Sequence, residues 1–180
     1  MSRMKSALLA LAAGSAALGI FLTAPALGQG ATSALQGHDT SAPVDVAADR
    51  IEVQDRSDRA IWSGNVIVRQ GNLTLNSERL TIAYTNDGGI EIERLDASGG
   101  VTLRSPSETA RGQFAIYDLN QRLITMIGNV TLTRGGSHIK GGRLVIDLDS
   151  GRAVMDGGAP GTRSEGGRVT GVFTVPKRNN

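Results

Sequence analysis

The 180-residue chain has no cysteine, two histidines, one tryptophan, two tyrosines and three phenylalanines. Without cysteine there is no disulfide, no thiolate ligand or nucleophile, and no lipid-modified N-terminal cysteine, so the fold must close on its own core. With so few rings, that core must be built from Val, Ile and Leu. His38 and His138 are not spaced with other ligands as a metal site requires. "GGSHIKGG" and "GGRVTG" are glycine-rich, but no helix pattern follows them and the GK[ST] ending of a phosphate loop is missing. Glu78, Glu91, Glu93 and Asp118 fall at outward phases beside Arg79 and Arg94, where they read as surface charge that blunts strand edges rather than as a catalytic dyad. No pattern here supports an enzyme, a cofactor or a metal.

An excess of one charge sign is also lacking. The chain holds 19 Lys and Arg against 17 Asp and Glu, and two of the cations, Arg3 and Lys5, lie at the extreme N-terminus. The apolar run Ala7 to Leu22 follows them, then "TAPALGQG". This is the layout of a secretory signal peptide, residues 1–28, cleaved after Gly28 or after Ala26. The apolar run is shorter than the roughly 20 residues a membrane-spanning helix needs. Beyond the leader the charges balance and alternate, which excludes the basic stripe of a nucleic-acid-binding protein.

What the chain does have is glycine, 24 residues of it, and period-two alternation from Val44 onward. Residues 29–43 are small, polar and aperiodic, and are expected to be a disordered tail. Residues 44–175 form one domain, and residues 176–180 a C-terminal tail. Within the domain, alternating runs of four to eight residues bounded by Gly, Asn, Asp or Ser predict short strands with one apolar face and essentially no helix. Ile51/Val53, Val66/Val68, Leu73/Leu75, Leu80/Ile82, Ile90/Ile92, Val101/Leu103, Phe114/Ile116, Val130/Leu132 and Leu144/Ile146 are such runs.

There is also an internal repeat. Gly64, Gly99, Gly128 and Gly157 each stand two residues after a side chain expected to face inward: Trp62, Ala97, Met126 and Met155. Asn65, Gly100, Asn129 and Gly158 follow the glycines, and both residue types tolerate the positive φ of a tight corner. A second apolar pair comes about sixteen residues later, read here as Leu80/Ile82, Phe114/Ile116 and Leu144/Ile146. Unequal repeat lengths and polar turns such as "TNDGG" favour antiparallel hairpins rolled into a jellyroll over a parallel β-helix.

Four stretches in order carry a family resemblance: "VAADRIEV" (Val46 to Val53), "AIWSGNVIVRQGNLTLNSERLTI" (Ala60 to Ile82), "IGNVTLTRGGSHIKGGRLVIDL" (Ile127 to Leu148) and "GGRVTGVFTVPK" (Gly166 to Lys177). Together they resemble the periplasmic lipopolysaccharide-transport bridge proteins, the LptA or OstA-like family. The resemblance implies a single-domain, twisted antiparallel β-jellyroll, open at its ends. It further implies a non-enzymatic periplasmic carrier that shelters the acyl chains of lipopolysaccharide inside. Its partners would be further copies of itself, head to tail, and related jellyrolls of the inner-membrane complex and the outer-membrane translocon. By phase, the groove lining is expected to be Ile51, Trp62, Val66, Val68, Leu80, Ile82, Leu103, Phe114, Ile116, Met126, Val130, Leu132, Leu144 and Ile146. Two rivals remain at this point: a membrane-anchored sister jellyroll of the same system, and a periplasmic carbohydrate-binding or carbohydrate-active β-solenoid.

Overall fold

The computed structural model describes residues 35, 38–158 and 167–175; the expected signal peptide and C-terminal tail lie outside them. Ten strands form one sheet: β1 (Val44–Ala47), β2 (Arg50–Gln54), β3 (Arg59–Gln70), β4 (Leu73–Thr85), β5 (Glu91–Arg104), β6 (Glu108–Asp118), β7 (Leu123–Arg134), β8 (Ser137–Asp147), β9 (Ala153–Asp156) and β10 (Thr170–Val172). A single 3₁₀ turn, Asp55–Ser57, is the helical element among the described residues. From β3 to β8 each strand pairs antiparallel with the next. Sequential antiparallel pairing is the jellyroll expectation and overturns the solenoid, whose rungs would be parallel. The first edge divides: β1 pairs with the second half of β3 and β2 with the first half. The last edge divides in the same way, β9 and β10 flanking opposite halves of β8.

The halves exist because every long strand is interrupted at the same level. Register shifts fall between Ser63 and Val66, Ser98 and Val101, and Ile127 and Val130, so that two residues stand opposite one. Those two are Gly64–Asn65 (φ 79° and 48°), Gly99–Gly100 (85° and 82°) and Gly128–Asn129 (87° and 49°). These bulges with left-handed residues sharpen the local twist and bend the strand. Aligned across β3, β5 and β7, they crease the sheet into two wings. A Cβ on Gly99 would stand 2.7 Å from the Cβ of Glu78 on the next strand, so the crease demands glycine for space as well as for φ.

The wing that carries β2 and β9 and the wing that carries β1 and β10 face each other across the core. Two apolar ladders cross the β2 wing strand by strand. One runs Ile51, Trp62, Leu80, Ala97, Ala115, Met126, Leu144, Met155, and the other Val53, Ala60, Ile82, Leu95, Tyr117, Ile124, Ile146, Ala153. A third, Val46, Val68, Leu75, Leu103, Ala110, Leu132, Ile139, crosses the β1 wing. Directly paired residues share a face of the sheet, so each ladder is continuous from edge to edge.

Three expectations need correction. Phe114 and Ile116 are 50% and 36% exposed, while Ala115 and Tyr117 beside them are buried. The cause is the crease: β6 passes it without the extra residue, so its inward phase shifts by one between Ala110 and Ala115. Counted strictly, the repeat places its second pair 16 and 18 residues after the glycine, at Ala115 and Tyr117 beside Leu80/Ile82 and Leu144/Ile146. Hydrophobicity drew the pattern to Phe114 and Ile116 instead. Ile90, read as a strand residue, precedes β5 and is exposed. The third correction concerns the tail. Within residues 29–43, Leu35 and His38 are buried and 38–43 lie against the body of the roll. Polar composition hid them because they are fixed by hydrogen bonds and one leucine rather than by a periodic face.

Candidate functional site

The interior between the wings is an extended apolar surface built by the ladders, and it is unevenly filled. At mid-length Leu80, Leu95, Ile124, Met126, Leu144, Ile146, Val66, Val101 and Val130 are fully buried against one another. A gap of only about 20 Å³ remains there, bounded by Val68, Leu75, Leu103, Leu95 and Tyr117 among others. Toward β8, β9 and β10 the wings part. A cavity of about 440 Å³ opens between them, lined by Leu132, Ile139, Leu144, Ala153, Met155 and Phe173. This volume lies within the range of roughly 300–1,000 Å³ typical of ligand pockets, and its lining is predominantly apolar as such pockets are.

Its rim is polar. Glu108, buried, lies 3.5 Å from Nη1 of the half-exposed Arg134. One partner of this pair is buried and the other reaches solvent, so the pair marks the boundary between dry interior and water.

Of the fourteen residues singled out by phase, Val66, Val68, Leu80, Ile82, Leu103, Met126, Val130, Leu144 and Ile146 are buried on the inner face. Trp62 and Leu132 are partly buried against that core. Ile51 shares the inner face through its pairing with Trp62 but is 47% exposed, on a strand that pairs on one side only among the described residues. Phe114 and Ile116 point away. The large cavity brings together only Leu132 and Leu144 from the set. Ile139, Ala153, Met155, Phe173, Glu108 and Arg134 were missed as lining. Met155 and Ala153 were readable as inward positions of the repeat's last copy, and Ile139 by its alternation with His138 and Lys140.

At the other side of the interior a polar cluster bridges the wings. The Tyr117 hydroxyl, from the β2 wing, donates to Oε1 of Gln70 in the β1 wing at 2.9 Å. Burial pushes the Tyr117 phenol up to about 12, so it remains a donor at any physiological pH. Nε2 of Gln70 donates to the carbonyls of Thr40 and Ala42, each at 3.0 Å, which fixes Oε1 as the acceptor. His38 Nε2, 3.1 Å from that oxygen, must therefore carry a proton. The Trp62 indole nitrogen is buried without a hydrogen-bond partner among the described residues. No three His, Asp or Glu side chains among the described residues converge as a metal site would require.

Comparison with known proteins agrees with this architecture. An uncharacterized protein of Rhizobium meliloti is 32% identical over 168 residues, spanning 87% of this chain and 90% of that one. The lipopolysaccharide export system protein LptH of Pseudomonas aeruginosa is 26% identical over 156 residues, 84% of this chain and 85% of that one. The crystal structure of LptH, described as the LptA homologous periplasmic component of the lipopolysaccharide transport device, superposes with a TM-score of 0.67. It covers 77% of this chain and 99% of that one at 22% identity, which speaks to fold. The LPS-assembly protein LptD of Yersinia enterocolitica matches over 88 residues at 31% identity, 48% of this chain and 11% of that one. Residues 45–152 match the model described as LptA/(LptD N-terminal domain) LPS transport protein, and the chain belongs to that family.

Proposed function

We propose that this protein carries lipopolysaccharide through the periplasm toward the outer membrane, holding acyl chains between the wings of the roll and performing no covalent chemistry. The single observation that carries this reading is the apolar cavity of about 440 Å³ between the wings, continuous with ladders that run the length of the sheet. Keeping one methylene from water is worth about 0.8 kcal/mol, so exposing a twelve-carbon chain costs on the order of 10 kcal/mol. A lipid with several such chains needs an apolar path over its whole route. Ladders perpendicular to the strands line such a path along the axis of the roll, open toward β8–β10 and closed by packed side chains at mid-length, where the wings must part for a chain to pass.

The two ends support assembly into a longer path. Ile51 and Val53 on β2, and Val172 and Phe173 at β10, are apolar and exposed, and among the described residues each of these strands pairs on one side only. Strand addition between β2 of one copy and β10 of the next, or of a related jellyroll, would join interior to interior. Such a head-to-tail contact is heterologous and extends without closing. Export with removal of residues 1–28 completes the reading.

The test is photo-crosslinking from single positions in cells that make lipopolysaccharide. Probes at Leu132, Ile139 and Met155 should give lipopolysaccharide adducts, and probes at Phe114, Ile116 and Glu78 on the outer surface should give none. Equal adducts from both groups, or none from the first, would defeat the proposal. N-terminal sequencing of the exported protein separates the soluble carrier, starting near Gln29, from a membrane-anchored sister.

A further inference from the structure

Leu35 and residues 38–43, ahead of β1, are folded against the interior's own opening. Leu35 is 3% exposed, and its surroundings come from both wings: Leu103, Ala110 and Leu132 from one, Ile146 from the other, with Glu108 beside them. The space left around it is about 10 Å³. Glu108 and Leu132 also line the large cavity, so Leu35 sits where that cavity would continue inward along the seam between the wings. From there the chain is fixed in steps. The His38 amide donates to the Leu35 carbonyl at 3.0 Å, and the His38 ring reaches Gln70 at 3.1 Å and Asn72 at 3.2 Å. Asp39 accepts from the Ser41 amide and hydroxyl at 2.9 and 2.6 Å. The carbonyls of Thr40 and Ala42 take both protons of the Gln70 amide.

This is an unusual use of a strap. Its one large apolar side chain goes into the seam, and its hold on the body is polar, built largely on Gln70. A polar hold of this kind exchanges with water at modest net cost, whereas an apolar covering spread over the segment would not. We propose that the seam beneath residues 35 and 38–43 is an entry site for an acyl chain, and that Leu35 occupies its place until lipid displaces the strap. The inference rests on the lipid-carrier reading above. It adds that the empty carrier shields its own opening and that apparent affinity is set partly by the fraction of molecules with the strap released. The Tyr117–Gln70 bridge lies under the strap and would stay with the body when the strap leaves.

The test uses the mature chain with Leu35→Ser or His38→Ala, titrated with two probes: purified rough-type lipopolysaccharide and a fluorophore bearing a dodecyl chain. If the strap is closed about nine times in ten, releasing it should tighten both apparent dissociation constants by about tenfold. A spin label on Thr40→Cys, the sole cysteine in such a chain, should be immobile alone and mobile at saturating lipopolysaccharide. Unchanged or weaker binding by both variants, with the label still immobile at saturation, overturns the strap while lipopolysaccharide binding by the wild type keeps the carrier reading. Strap-dependent binding of the dodecyl probe with no lipopolysaccharide binding does the reverse. Binding of neither probe by any form defeats both.

Discussion

The middle of the roll and its β8–β10 end are built from the same ladders, yet one is a packed core and the other a cavity. Leu80, Met126 and Leu144 in one ladder are at or near zero exposure, and Met155, the next rung, is only half-buried. What differs is the opposing wing. At mid-length the β1 wing presents Val66, Leu75, Val101 and Leu103. Beyond β7 it presents Gly141 and Ile139 and then the three-residue β10. An apolar ladder becomes a core where large side chains meet it, and a binding surface where the facing strand is short and carries glycine.

That contrast is broken most severely by deleting a side chain at each place. Leu80→Ala removes a fully buried leucine and should cost about 2–5 kcal/mol of unfolding free energy, since a packed neighbourhood cannot collapse into the hole. Met155→Ala enlarges a cavity that already exists, and its cost should stay below about 1.5 kcal/mol. Urea denaturation of both variants measures the difference. Equal losses would mean that the β8–β10 end is as tightly packed as the middle.

Adding volume sharpens the same contrast in the opposite sense. Ala115 and Ala153 occupy the inner face of adjacent ladders, but Ala115 is enclosed and Ala153 lines the cavity. Ala115→Leu should destabilise by about 1–3 kcal/mol through overpacking. Ala153→Leu should be close to neutral in stability and should weaken lipopolysaccharide binding by filling the space. Thermal unfolding and a binding titration on the two proteins give both readings.

The sheet, its antiparallel order and the crease were legible from alternation and from Gly64, Gly99 and Gly128, because both signals are local. Strand phase was legible wherever the repeat was counted strictly. It failed at Phe114 and Ile116 because these larger apolar side chains outweigh the neighbouring Ala115 in an alternation pattern, and a shift of one turns every side chain over. The cavity was not legible. Its existence depends on which residues of the β1 wing face Leu144 and Met155, a pairing between residues distant in the chain. The fold-back of Leu35 and His38 was hidden for a similar reason: its anchors, Gln70 and Asn72, are more than thirty residues away and look like ordinary turn-flanking polar residues.

The mildest perturbation falls on the bridge that ties the wings together beside the packed middle. In the folded protein burial holds the Tyr117 phenol protonated up to about pH 12, whereas in the unfolded chain it ionises near 10.0. The folded state therefore loses stability as pH rises from the lower value to the upper one, because only the unfolded chain releases the proton, and the contribution is complete below that window. Tyr117→Phe removes this portion of the alkaline slope. It also deletes one hydrogen bond to Gln70 Oε1, which His38 Nε2 still approaches at 3.1 Å, so the acceptor is not orphaned. The expected loss at neutral pH is about 0.5–1.5 kcal/mol. Denaturant midpoints of the two proteins should converge as pH rises through the window. A gap that stays constant to the top of it would mean that the phenol is hydrated and that the wings are open at this point too.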